Sequence, residues 1–221
     1  MKLSLAPNEL TQYVGRQFEN LFPDGADLDD LARFVGLALE RVEFGFSRMR
    51  LKGYGDANGA QFSHLNTDQY AVFLYYLANS AFTEKPGHPI ADKAYALNKA
   101  LHALDAYYEI GLPKIFAVQH PVGSVLGRAN YGDYFLCYHN CTVGANPAND
   151  YPSFGRGTVM YGGGRVIGRT SLGDNTFVST GSIIIDGGKL APGSVLHGIY
   201  PNARRSVTKR NVIRDVFGVK D

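Results

Sequence analysis

The sequence is poor in cysteine, in long apolar runs and in any excess of one charge. Its 221 residues include only two cysteines, Cys137 and Cys141. Four apart, they could be a metal pair or a disulfide, but a zinc site normally needs more partners at characteristic spacing, and cytosolic thiols stay reduced. No metal is expected. No stretch approaches the roughly 18 apolar residues that a membrane-spanning helix needs. The start, MKLSLAPNEL, has one lysine and breaks at Pro7 instead of running on into the apolar core of an export signal. The expectation is a cytoplasmic protein with no membrane partner, in which the glycosylation triplet Asn140-Cys141-Thr142 has no chemistry to report. Lysine and arginine number 22 against 20 acids, a formal charge of +2. Without a basic excess the electrostatic grip on nucleic acid is missing, and none is expected as a partner.

What is present falls into two halves. Up to about Glu109 apolar residues recur at helical spacing, as in Leu28, Leu31, Phe34, Val35 and Ala38 behind a candidate N-cap at Asp27. A second helix is expected near residues 66–82 and a third from Pro89 to Glu109. Between the first two lies RLKGYGDANGAQFSH, whose glycines, Asp56 and Asn58 mark a loop.

After Leu112 helical periodicity gives way to an internal repeat. Steps of six from Phe154 reach Met160, Val166, Leu172, Val178, Ile184, Leu190 and Leu196, all apolar. With 45% of the chain hydrophobic, eight hits at one chosen phase have odds below about one in a hundred. Four residues after each of the first seven lies a small residue: Thr158, Gly164, Thr170, Thr176, Ser182, Gly188 and Ser194. One large and one small inward residue per hexad supply a flat face and a tight corner, so that three hexads close a triangular turn and stacked turns bury an apolar column.

A second run steps back by six through Val143, Cys137, Tyr131 and Val125. It puts Cys137 at a large inward position and Cys141 at a small one, which reads as packing thiols. From Val143 to Phe154 the step is eleven, and ANPANDYPS reads as an excursion from the coil.

His120-Pro-Val-Gly123-Ser-Val125-Leu126-Gly127, Cys141-Thr142-Val143-Gly144, Asp150-Tyr151-Pro152-Ser153-Phe154-Gly155 and the run Met160 to Gly168 together resemble the hexapeptide-repeat acyltransferases. The likeness is to the serine acetyltransferase branch and its relatives in polysaccharide gene clusters, over roughly residues 112–204. It implies an α+β chain: an all-helical N-terminal domain (1–111), a left-handed parallel β-helix of hexapeptide repeats (112–206) and a C-terminal tail (207–221). It implies acetyl-CoA as co-substrate, a homotrimer with larger assembly possible through the helical domain, and a small-molecule acceptor. His120 takes the family's general-base position, with an upstream carboxylate, Glu109 or else Asp105, to orient it. The acyl-CoA arm is expected beside Gly162 and Thr180, and its phosphates beside Arg204 and Arg205.

The chemistry of His120 agrees, because a neutral imidazole takes a hydroxyl proton near neutral pH and a carboxylate at its far nitrogen stabilises the imidazolium. His139, third in its hexad as His120 is after Val118, is a candidate substrate contact, whereas His64, His88, His102 and His197 follow no pattern. Departures bear on the acceptor. Gln119 stands where the serine enzymes carry an aspartate, and Asp150-Tyr151 where they carry an arginine-histidine pair, which removes the clamp for an amino-acid carboxylate. Gln119 and Tyr151 suit a hydroxyl-rich acceptor, so a sugar or nucleotide sugar is favoured over L-serine. Three readings stand against this one: serine O-acetylation, a catalytically silent β-helix assembly module, and a zinc-dependent carbonic anhydrase, for which the spacing of His120, His139 and His197 suggests no shared metal. Gly162-Gly163-Gly164 with Gly168 lies inside the repeat, without the strand-to-helix context of a nucleotide loop.

Overall fold

The computed structural model describes residues 1–56 and 59–219; Asn58 of the expected loop lies outside them. Four helices build the N-terminal part: α1 (Pro7–Leu21), α2 (Leu31–Phe46), α3 (Thr67–Glu84) and α4 (Pro89–His102). α1 was not expected as a separate helix; it carries its apolar side on only three buried positions, Leu10, Val14 and Phe18. α2 begins after Asp30 instead of Asp27, because the Asp27 carboxylate accepts the Asp29 N–H and closes a turn ahead of the helix. α3 starts behind a working N-cap, the Asn66 side chain accepting from the Gln69 N–H. Its residues Gln69–Ala78 are all buried, as befits a helix packed on α2, α4 and the first coil strand together. The segment read as a loop contributes β2 (Gly55–Asp56) and β3 (Gly59–Phe62), which join β1 (Lys2–Leu3) in a small sheet ordered β1-β3-β2.

α4 stops at His102, short of the expected Glu109, because Ala103 turns into the left-handed region (φ 50°). Beyond it the chain lies on the coil, with Asp105 bridged to Val125. His102 itself is buried, with Nδ1 on the Asn98 side-chain oxygen at 2.8 Å and its ring edge-on to Tyr70. Burial pulls its pKa down from 6.5 to about 4, a hydrogen bond from the ring to the Asn98 backbone opposing. The neutral form is therefore the one the fold favours, so this stability is present above about pH 6.5 and is lost as pH falls toward 4, by up to about 3 kcal/mol. Urea midpoints measured between pH 7 and pH 4 should fall steeply in the native chain and less so in His102→Gln.

The repeat forms four coils of three strands: β4 (Phe116–Val118), β5 (Val125–Leu126), β6 (Asn130–Tyr131); β7 (Phe135–Cys137), β8 (Thr142–Gly144), β9 (Ser153–Phe154); β10 (Thr158–Met160), β11 (Arg165–Ile167), β12 (Thr170–Leu172); β13 (Thr176–Val178), β14 (Ile183–Ile185), β15 (Gly188–Leu190). β16 (Ser194–His197) opens a fifth coil, and β17 (Arg204–Val207) turns back antiparallel on it. Like strands stack in parallel into three sheets, with Val118, Cys137, Met160, Val178 and Leu196 in one inward column. All eight hexad residues from Phe154 to Leu196 are buried. Of the small positions only Gly188 is exposed. The hydroxyls explain the threonines and serines there: those of Thr158, Thr170 and Thr176 each donate to the carbonyl three residues back, at 3.1, 3.0 and 2.7 Å, and so satisfy an inward corner.

Both cysteines are free and buried, as packing thiols should be. Val125, by contrast, does not point inward. It is 39% exposed and Leu126 fills the column against Val143, since the corner from Leu126 to Tyr131 is one residue shorter than the others. The excursion after β8 is pinned by buried Asn146, whose side-chain amide donates to Asp150 (3.0 Å) and Asp186 (2.9 Å). The C-terminal segment, expected as a tail, runs back along the coil instead: Asn175 holds the Arg210 carbonyl and the Val212 N–H, and Phe217 is buried edge-on against Tyr134.

Candidate active site

Two residues beyond each strand of the first sheet lie His120, His139, Gly162 and Thr180, one above the other at a single corner. Neighbouring coils are about 4.8 Å apart. His120 is exposed and sits in the left-handed region (φ 51°), where a non-glycine residue persists only when its surroundings hold it. Two hydrogen bonds do so: its N–H donates to an Asp68 carboxylate oxygen at 3.0 Å, and its carbonyl accepts the Val122 N–H at 2.8 Å. The preceding residue, Gln119, is partly buried and anchored by its N–H on the Cys137 carbonyl. Val118 is fixed at both its N–H and its carbonyl by the buried Tyr54 hydroxyl.

Asp68 comes from the first turn of α3 and was not singled out from the sequence. Burial raises its carboxyl above the ordinary range, while the His120 N–H and the charge of His120 pull the other way. The two carboxylates that were singled out are engaged elsewhere. Asp105 accepts from the Tyr95 hydroxyl (2.8 Å) and Lys99 (2.6 Å). Glu109 faces Arg128 at 4.0 Å. The carboxylate that meets His120 is therefore Asp68, because the early end of α4 diverts 103–109 onto the coil and presents α3 at the corner instead. Asn66-Thr67-Asp68, a cap followed by an acid at a helix start, was the available signal.

His139 stacks directly on Gly162: a Cβ there would come within 2.4 Å of the imidazole. Gly162 thus makes room for a histidine and not for an open groove. Thr180 is exposed, and the next residue, Gly181, has nothing near its Cβ direction. Below them Ser179 meets His197 Nδ1 at 2.9 Å. Arg204 and Arg205 are exposed on β17, Arg205 donating to the Gly187 carbonyl at 3.3 Å. Asp150 and Tyr151 stand apart from this corner in the chain, on the excursion, with Asp150 3.4 Å from Arg169 and Tyr151 exposed beneath Arg128. Among the described residues no cluster of three or more His, Cys, Asp or Glu is placed to hold a metal, and no helix is long and apolar enough to cross a membrane.

Neither protein-family models nor curated protein sequences give a match to this chain. Solved structures do. A Neisseria gonorrhoeae serine acetyltransferase in complex with serine superposes with a TM-score of 0.69 at 14% identity, covering 92% of this chain and 84% of that one. The fold is shared with serine acetyltransferases. A Brucella abortus serine acetyltransferase in complex with coenzyme A gives 0.60 at 12% identity over 92% and 76% of the two chains. Soybean serine acetyltransferase complexed with serine gives 0.63 at 15% over 90% and 94%. The likeness takes in the helical part as well as the coil and fixes the architecture as helices followed by a left-handed parallel β-helix.

Proposed function

We propose that the protein transfers an acetyl group from acetyl-CoA to a hydroxyl or amine of a small polar acceptor, with His120 as general base. The reading is carried by one corner, where an exposed histidine held in a left-handed conformation takes a half-buried carboxylate on its backbone N–H and feels that carboxylate's charge. It is supported by a fold solved elsewhere with serine and with coenzyme A. His120 takes the acceptor's proton, and the negative charge of Asp68 favours the imidazolium that forms. Acetyl-CoA, when bound, supplies an activated thioester. Thr180 and the open turn at Gly181 suit its extended arm, and Arg204 and Arg205 suit its phosphates. The second coil sheet turns Val125, Ile185 and Ile199 outward at 39%, 51% and 60% exposure, an apolar face that supports assembly of three copies. The cytosol is the compartment this chemistry expects.

For the acceptor, Gln119 and Tyr151 favour a sugar or nucleotide sugar, and Asp150, tied to Asn146 and Arg169, offers no cation for a carboxylate. Asp68 favours a second reading, L-serine, since a carboxylate beside the base is a partner for an ammonium group. Free-CoA release from acetyl-CoA separates the two. Turnover is expected with members of a nucleotide-sugar panel and only weakly with L-serine; efficient use of low-millimolar L-serine alone would reverse the order. No CoA release with any acceptor of either class, and none without one, would leave the silent assembly module standing.

A further inference from the structure

Between the second half of α2 and the second half of α3, the helices leave a groove on either side of Arg41, of about 350 Å³ toward the linker into the coil and about 320 Å³ toward the end of α3. Arg41 is part-buried. One of its guanidinium nitrogens donates to Ser80 Oγ at 3.0 Å, and the group lies 4.3 Å over the Tyr76 ring. Burial pulls its pKa down, offset only by the two tyrosines Tyr75 and Tyr76. Among the described residues no carboxylate pairs with it. Of the nearby acids, Glu43 holds the N-terminal amine and Glu84 holds Arg33, while Glu40, exposed, lines the groove on both sides without an ion pair to Arg41. A guanidinium has five N–H donors, and withdrawing it from water with one hydrogen bond and a ring face is costly unless an anion completes its shell. Among the described residues no buried side-chain nitrogen or oxygen lacks a partner, so the guanidinium nitrogens of Arg41 without one are open to solvent, and Arg41 lines the groove on both sides.

The rest of the lining matches a particular ligand chemistry. Phe44 is 40% exposed on this face, Leu112 and Tyr76 continue the apolar wall, and Lys114 adds a second cation at the linker end. We propose that this groove binds a small organic carboxylate with an aromatic or short alkyl body, Arg41 holding the carboxylate and Phe44, Tyr76 and Leu112 receiving the body. The place gives the site a consequence. The Tyr76 hydroxyl donates to the Pro113 and Lys114 carbonyls, and its ring meets Phe116, the first residue of β4. The strand ends at Val118, two residues before His120, and α3 also carries Asp68. A ligand in the groove therefore braces the joint between the helices and the coil that presents the candidate base.

The test needs no catalytic assay and so stands or falls apart from the acetyltransferase reading. Phenylacetate is titrated into the full chain at fixed ionic strength, followed by calorimetry and by thermal melting, with uncharged 2-phenylethanol as control. Phenylacetate is expected to bind saturably and raise the melting temperature, with little effect of the alcohol. Arg41→Gln should weaken binding about tenfold or more, the cost of a charge-assisted hydrogen bond. Phe44→Ala and Lys114→Gln change exposed side chains and should each weaken it several-fold with the fold intact, which keeps the test decisive if Arg41→Gln does not fold. Equal binding of acid and alcohol, unchanged affinity in Phe44→Ala and Lys114→Gln, or no saturation in the native chain overturns the proposal. So does a variant that alters the oligomeric state and leaves affinity untouched, since the groove is then a contact between copies.

Discussion

His120→Ala is expected to lower turnover about a hundredfold or more while leaving acetyl-CoA affinity nearly unchanged, because positioned general-base catalysis contributes roughly 10² to 10⁴ in rate. The side chain is exposed, so its removal opens no cavity, and alanine, which enters the left-handed region less readily than histidine, adds only a small strain there. Melting temperature should therefore barely move, and a large loss of rate cannot be charged to unfolding. The decisive measurement is kcat with the best acceptor found, alongside the dissociation constant for acetyl-CoA. Near-normal kcat removes His120 from the mechanism and turns attention to His139. That imidazole packs on Gly162 in the next coil, so His139→Ala, unlike His120→Ala, should also loosen the stack beneath it.

The coil was legible in the sequence because its physics is periodic. One residue in six must fill the column, and from Phe154 to Leu196 each one does. Where the period breaks, legibility fails by one residue. Val125 carried the count, but a short corner gives the inward position to Leu126. The position of the candidate base was legible because His120 lies inside the periodic stretch. Its carboxylate was not, since Asp68 lies 52 positions away and binds a backbone N–H, a donor that every residue has and no sequence marks. The resemblance preferred Glu109, an acid followed by the aliphatic Ile110, over Asp105. Ala103 defeats both by ending α4 early and turning the following residues onto the coil.

Asp68→Asn is the sharper test of the corner, because it separates charge from hydrogen bonding. An asparagine oxygen still accepts the His120 N–H, so the turn should keep its shape, while the negative charge that favours the imidazolium is gone. Turnover is expected to fall tenfold or more. Stability should move the other way or not at all. The folded-state pKa of Asp68 is raised above its unfolded value, chiefly by burial. The stability linked to this group is thus fully present below the unfolded pKa and is lost as pH rises through the folded one. At neutral pH the fold bears a carboxylate it disfavours, and a neutral amide relieves it. A structural residue would show the reverse, a lower melting temperature and a rate that falls only with the folded fraction. Asp68→Ala removes the acceptor as well and should lose about 1 kcal/mol of stability besides. The kinetic split tells what the charge is for. A fall in kcat at constant KM places Asp68 with the base, whereas a rise in KM at constant kcat assigns it to an ammonium group on the acceptor. Full activity in Asp68→Asn, with both constants unchanged, would mean that the carboxylate at His120 only holds the turn.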